Sequence, residues 1–467
     1  MFVFCPTLSK IFQRTSRIDR ETKEMKRYLL RSSLLVLALL VVAVSTLLLS
    51  GPGQRGLEAA RLLRDLAALD LPAASGKNLP MMRAPLTYEV DGRRYQADVY
   101  RPLTPPRMGV VLLPGASPLG KDDPRLVDFA AWLASARLTV LVPDITRLRR
   151  LQLRADIIPE TVDALRYMAS TENLAPQGKI GIVALSVATG PALLAACAPS
   201  VRKQVAFVLA IGGYYDLLST LNYSITGYYK VDGEWRHRRS NDLGKWVFVL
   251  SNADSLPAAG DREVLARMAK RQLAGEDPSV LAPRLGPDGQ AVYRFISNTD
   301  PDKAHALFDR LPLAIITEVD ALSPSKQDLS TLRARVILVH GLDDPVIPYT
   351  ESVALAHALP HTQRELFLIG GLHHVDVKPT FSDSWHMWQA IYAVLAERDR
   401  IMQDRQPRYP GRNANGTKAQ TECRGLVGDF ERGSMRRSRR VRRRRCRPVW
   451  RTRRLVLCLG QRARARY

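Results

Sequence analysis

Ser186, Asp344 and His374 are residue types that could cooperate in nucleophilic catalysis. Each follows an apolar run that reads as a strand: KIGIVAL at 179–185, ARVILVHG at 334–341 and RELFLIGG at 364–371. They come in the chain order Ser, Asp, His, separated by 158 and 30 residues. A serine hydroxyl is a weak nucleophile near neutral pH, and an imidazole within hydrogen-bond reach activates it by taking its proton. A carboxylate then holds the imidazole tautomer and stabilises the imidazolium. The developing oxyanion needs N–H donors. The Val187 N–H, just after the serine, is one candidate, and the Ala116 N–H, after the strand at 108–113, is the other. Asp343 and His373 adjoin the chosen acid and base and are the alternatives. Asp216, after GGYYD, is a further acid position.

Each of these residues also has an ordinary structural reading. A serine after a strand is often just small, Asp-Asp-Pro is often a turn, and a histidine pair in a loop is often solvated. The usual nucleophile signature is Gly-x-Ser-x-Gly, and here Ala184 and Ala188 replace both glycines. The functional reading therefore rests on three strand ends in the right order.

The elements that must position these residues alternate between strand and helix. Alternating runs flank Asp91-Gly92 within 85–102, a hairpin signal. Apolar strands are expected at 108–113, 138–144, 179–185, 204–213, 334–341 and 364–371. Helical periods cover 124–137, 155–170, 187–198, 350–359 and 382–398. This pattern predicts an α/β fold with a mostly parallel sheet flanked by helices, and such sheets carry their sites at the carboxyl ends of the strands.

The sequence resembles the α/β-hydrolase superfamily, in particular the bacterial dienelactone-hydrolase and prolyl-oligopeptidase-like serine hydrolases. DVYRP at 98–102, LLPGASPLGKDD at 112–123 and LVPD at 141–144 resemble the family's early strands and oxyanion loop. HGLDDPVIP at 340–348 matches its acid motif, and IGGLHH at 369–374 resembles its histidine loop. The resemblance covers about residues 85–398. It implies the α/β-hydrolase fold, a catalytic triad of Ser186, Asp344 and His374, and cleavage of an ester, thioester or amide in a small molecule or peptide through an acyl-enzyme. It implies no metal or organic cofactor. The core would comprise 85–213 and 334–400. Residues 214–333 would form a cap insertion, rich in aromatics such as Tyr214, Tyr223, Tyr229, Trp235, Trp246 and Phe248. The competing function is that of a catalytically inactive, membrane-anchored binding module. The run Arg236-His237-Arg238-Arg239 reads as a solvated face.

Composition limits the remaining classes. The 467-residue chain is 46% hydrophobic, ordinary for a globular core, and carries a net charge of +24. That charge lies at the ends. Residues 401–467 hold 21 Lys/Arg against 4 Asp/Glu, residues 1–32 hold 8 against 3, and the body is near neutral. The distribution argues against nucleic acid as the partner of the body. The tail at 401–467 reads as disordered, or as out-of-frame text, because MRRSRRVRRRRCRPVWRTRR has no apolar period and no acid. Four of the five cysteines fall in the terminal segments, and no CxxC occurs, which argues against a disulfide framework or a zinc site. Cys197, in an apolar run, reads as a small buried residue.

The uncharged stretch SSLLVLALLVVAVSTLLLS at 32–50 is long enough to span a bilayer core of about 30 Å. Lys26, Arg27 and Arg31 precede it, so residues 1–31 read as a basic cytoplasmic N-terminus. The body would then lie outside the cytoplasm, on the periplasmic side of a bacterial inner membrane. The run exceeds a signal-peptide core, which favours an uncleaved anchor over a cleaved signal. Residues 51–84 read as a juxtamembrane helix and linker. Oligomeric state leaves no sequence signal.

Overall fold

The computed structural model describes residues 32–69, 81–241, 243–373, 376–377 and 381–403, with Tyr28 and Leu30. The tail beyond 403 and the linker at 70–80 lie outside the described residues.

Eight strands form one sheet: β1 (Met81–Val90), β2 (Arg93–Pro102), β3 (Met108–Leu113), β4 (Leu138–Pro143), β5 (Ile180–Leu185), β6 (Val205–Ile211), β9 (Arg335–Gly341) and β10 (Arg364–Ile369). Their spatial order is β1-β2-β4-β3-β5-β6-β9-β10. β1 pairs antiparallel with β2, and β2 antiparallel with β4. All the other neighbours are parallel. The β1–β2 hairpin turns at Asp91 and Gly92, with φ of +50° and +78°. Positive φ at both central residues is what the Asp-Gly pair supplies to a type I′ turn.

The central strands are buried on both faces because helices cover each side. Along β3, Val111 and Leu113 enter one core, while Val110 and Leu112 enter the other. The first face is covered by α5 (Ile157–Ser170), α6 (Thr189–Cys197) and α13 (Thr350–Ala358). The second is covered by α3 (Pro124–Ser135) and α14 (Phe381–Gln403). A short helix, α4 (Thr146–Arg149), follows β4.

Between β6 and β9 lies the insertion. It contains α7 (Leu217–Thr226), the hairpin β7 (Tyr228–Val231) and β8 (Glu234–His237), then α8 (Leu243–Asn252), α9 (Ala259–Leu273), α10 (Pro287–Ile296), α11 (Ala304–Phe308) and α12 (Leu313–Leu322). Its aromatics mostly form its own core: Phe295 lies 5.4 Å from Phe248 and 5.9 Å from Phe308, centroid to centroid.

Among the described residues, two helices precede the sheet. The helix α1, Ser32–Leu49, has a mean hydropathy of 2.7 and exposed apolar side chains. It is long and apolar enough to cross a membrane by length and composition. The next, α2 (Gly51–Leu69), falls in the segment read as a juxtamembrane helix and docks on the body. It buries Ala59 and Leu62. Its backbone carbonyls at Leu62 and Gly56 accept the indole N–H of Trp132 and Trp388, at 2.8 and 2.9 Å. Its Glu58 takes both ends of the fully buried Arg398 guanidinium, at 2.7 and 2.8 Å. Asp399 adds ion pairs to Arg55 of α2 and to Arg107. An Arg at 398, buried 340 positions away from Glu58 in the fold's last helix, is not visible as a partner in the local pattern of α2.

Candidate active site

β5 leads directly into Ser186. One tight turn, Ser186–Ala188, joins it to α6. Ser186 adopts φ +54°, the left-handed region that strains a residue with a Cβ. A strained serine at a sharp strand-to-helix turn is the nucleophile-elbow geometry, which raises the hydroxyl above the sheet. The methyls of Ala184 and Ala188 are fully buried. The turn therefore accommodates both alanines that replace glycine. Thr189 pins it from below, donating its hydroxyl to the Ser186 carbonyl at 2.8 Å and accepting the Tyr214 N–H at 3.2 Å. A glycine is needed two residues after Ala188: a Cβ on Gly190 would overlap the Tyr214 hydroxyl. That hydroxyl donates to the Leu322 carbonyl at 3.0 Å, and burial pushes its pKa up.

The loop after β3 runs against the serine. A Cβ on Gly115 would lie 3.4 Å from the Ser186 Cβ. Ala116 and Val187, the two oxyanion candidates, line the same small cavity as Ser186.

β9 delivers the acid loop. Asp344 is 0% exposed, and its Oδ1 accepts the N–H groups of Val346 at 2.7 Å and Ile347 at 3.0 Å. Its Oδ2 lies 3.4 Å from His340 Nε2. His340 is also fully buried: Nε2 lies 3.0 Å from the Ile347 carbonyl, an acceptor that calls for a proton on Nε2, and Nδ1 lies 2.7 Å from the Ser352 hydroxyl. Asp343 points the other way, with its side chain 51% exposed and paired to Arg238 at 2.9 Å. Asp216 is a helix cap: its Oδ1 accepts the Ser219 N–H at 2.8 Å at the start of α7, and its Oδ2 accepts the Ser325 hydroxyl.

The histidine loop follows β10. His373 falls in a two-residue ladder, β11 (Leu372–His373) with β12 (Asp376–Val377), opposite Asp376. His374 lies outside the described residues. Asp383, in the first turn of α14, is buried and accepts the Gly370 N–H at 2.7 Å, which ties down the entrance of this loop.

The insertion is fastened to the acid loop at several points. Tyr223 of α7 donates to the Asp344 carbonyl at 3.0 Å, and Asn241 N–H donates to the Pro345 carbonyl at 2.7 Å. Arg238 bonds the Leu342 carbonyl and stacks over Tyr229. The basic run read as a solvated face thus has one member that holds the acid loop, because the β7–β8 hairpin folds back onto it. Glu351 of α13 is buried and accepts the N–H groups of Tyr215 and Asp216, at 3.0 and 2.8 Å. Burial raises its pKa. Tyr223, Arg238, Glu351 and Asp383 were not among the sequence candidates. Only the acid motif itself, with His340 as its first residue, carried a sequence signal.

Two cavities meet at Ser186. One, of about 80 Å³, lies under the insertion and is lined by Leu221, Leu243, Val247 and Phe248. The other, of about 410 Å³, lies between the sheet and α2, α3 and α14. The larger of the two has the size and apolar character typical of small-ligand pockets.

The strand order, the antiparallel second strand and the serine elbow together define an α/β-hydrolase fold. Over 80 residues the chain is 32% identical to 2-hydroxy-6-oxo-2,4-heptadienoate hydrolase of Pseudomonas putida, a match covering 17% of this chain and 29% of that protein. The chain therefore spans less than a third of that curated relative. No family model matches it. Solved structures similar to it include a puromycin-hydrolyzing peptidase of Mycobacterium tuberculosis (16% identity, 71% of this chain and 40% of that one, TM-score 0.37). A dienelactone hydrolase of Anabaena variabilis gives 16% identity over 70% and 98% of the two chains, with a TM-score of 0.35. A Pyrobaculum calidifontis esterase gives 14% identity over 78% and 98%, with a TM-score of 0.39.

Proposed function

We propose that the protein is a serine hydrolase that cleaves an ester, thioester or amide through a covalent acyl-enzyme. Ser186 Oγ attacks the carbonyl carbon while His374 takes the hydroxyl proton, and Asp344 orients His374. The N–H groups of Ala116 and Val187 hold the oxyanion. His374 then returns the proton to the leaving group as the acyl bond breaks. Water, deprotonated by the same imidazole, releases the acid and regenerates Ser186. The observation that carries this reading is the positive φ of Ser186 at the turn between β5 and α6, where two cavities meet. Asp344 is the acid in this reading because it is buried behind the loop while Asp343 is paired outward. His373 is the alternative base.

The test is labelling of the full chain, in phosphatidylcholine nanodiscs, with a fluorophosphonate. Labelling that disappears in Ser186→Ala and His374→Ala supports the assignment. A folded parent that takes no label sinks it and leaves a hydrolase-fold binding module.

The same reading makes the protein membrane-anchored. The exposed apolar helix α1 and the Lys26, Arg27 and Arg31 cluster before it support an uncleaved anchor with the body outside the cytoplasm, on the periplasmic side of a bacterial inner membrane. N-terminal sequencing of protein from washed membranes tests it: a start beyond residue 50 would show a cleaved signal.

A further inference from the structure

The 410 Å³ cavity is larger and deeper than attack on a small ester requires. At one end it is lined by Gly115, Ala116 and Ser186, at the carboxyl ends of β3 and β5. It also reaches Leu138, the first residue of β4, at the opposite, amino end of the parallel strands. A six-residue strand at about 3.3 Å per residue spans about 20 Å, so the cavity runs the depth of the sheet. Its charged lining residues, Asp123, Arg125 and Asp128, all belong to the start of α3, on the side of Ser186. Deeper in, Trp132 and Leu133 of α3, Ala390 and Ile391 of α14, and Leu62 and Leu66 of α2 make an uncharged wall.

We infer that this cavity takes the single aliphatic chain of a lipid ester, which makes long-chain esters the substrate class of the proposed hydrolase. The inference rests on that hydrolytic reading. A deep slot that opens at Ser186 and whose inner wall is uncharged suits an unbranched hydrocarbon and leaves a peptide's amides without partners. The cavity under the insertion, at about 80 Å³, has no room for a second such chain. The supply route is part of the same structure. Helical hydrogen bonding continues from α1 into α2 through Ser50, whose N–H donates to Thr46 O at 3.0 Å and whose carbonyl accepts from Gln54 N at 2.9 Å. The apolar segment long enough for a bilayer is thus joined directly to the helix that supplies Leu62 and Leu66 to the cavity wall.

The experiment compares p-nitrophenyl esters from acetate to palmitate on the full chain in phosphatidylcholine nanodiscs, with Ser186→Ala as background. Each methylene that enters the cavity raises kcat/KM roughly fourfold until the slot is full. Ala390→Phe narrows the slot and lowers the dodecanoate-to-butyrate ratio by about tenfold or more. That ratio does not depend on how much of each preparation is folded. Ser186-dependent turnover that is flat or falls beyond butyrate overturns the chain site and leaves the hydrolase standing. If no ester is turned over and no fluorophosphonate binds, the hydrolase reading has failed separately. A fluorescent long-chain fatty acid then decides the cavity: binding that Ala390→Phe weakens supports it, and no binding overturns it.

Discussion

The two faces of the sheet are closed by different means. On the insertion side, aromatic and aliphatic side chains fill the space, and only about 80 Å³ remains beside Ser186. On the other side, α2 buries Ala59 and Leu62 and is tied down further by charge, through Glu58, Arg398, Asp399, Arg55 and Arg107, and about 410 Å³ stays open. Packing density has no direction and fills whatever it borders. An ion-pair cluster holds a helix without having to fill the volume beside it and tolerates a space next to it. A face that must stay open for a chain-like ligand is well served by the second kind of fastening.

Four experiments sharpen or break this contrast. The largest effect should come from the acid loop that the insertion clamps. Asp344→Asn should lower ester turnover by about 10³–10⁴-fold through loss of the histidine tautomer, while Asp343→Asn stays within a few-fold. Comparable losses from both variants would mean that the burial difference does not identify the acid.

On the charged side, Glu58→Ala leaves the buried Arg398 guanidinium with Asp399 as its one remaining carboxylate partner among those described. It should cost about 2 kcal/mol in chemical denaturation, with the loss smaller in Glu58→Gln. No loss would show that α2 is not held as the structure indicates.

The third experiment tests packing directly. Ala192 on α6 is fully buried in the filled face, and Ala390 on α14 borders the open one. Ala192→Leu should cost about 2 kcal/mol by overpacking, and Ala390→Leu less than about 0.5 kcal/mol. Equal costs would mean the cavity is not there in solution.

The smallest effect concerns Glu160 of α5, on the filled face. Burial, with help from Asp156, Asp144 and Asp163, raises its pKa to about 7. A carboxyl with a folded pKa above its unfolded value keeps its proton longer in the folded state. Folding stability therefore falls as pH rises from the unfolded carboxyl range to about 7, and is level above that. Glu160→Gln should remove roughly 2 kcal/mol of that fall, leaving the variant the more stable at pH 8 and equal to the parent at pH 4. A parallel pair of stability–pH curves would rule it out.

Much of the fold could be read in the sequence because its signals are local. Strand runs, the Asp91-Gly92 turn and the helical periods reappear as elements within a few residues of where they were expected. The candidate site was legible in part. The strand ends that carry Ser186 and Asp344 are where the pattern put them, and His374 lies outside the described residues. The fasteners were not legible. Tyr223 reaches Asp344 across 121 positions, and Asp383 reaches Gly370 from another element. A tyrosine in a helix or an aspartate in a first turn has no local feature that marks such a partner.

By itself, the sequence determined the alternation of strands and helices, the Ser–Asp–His order and the apolar segment at 32–50, since each depends on neighbouring residues and their period. Only the tertiary structure decided that α2 is part of the body and that Asp344 is buried while Asp343 is not. It alone showed that an apolar slot runs from Ser186 through the depth of the sheet. Burial and empty space are set by elements that are remote in the chain and adjacent in the fold.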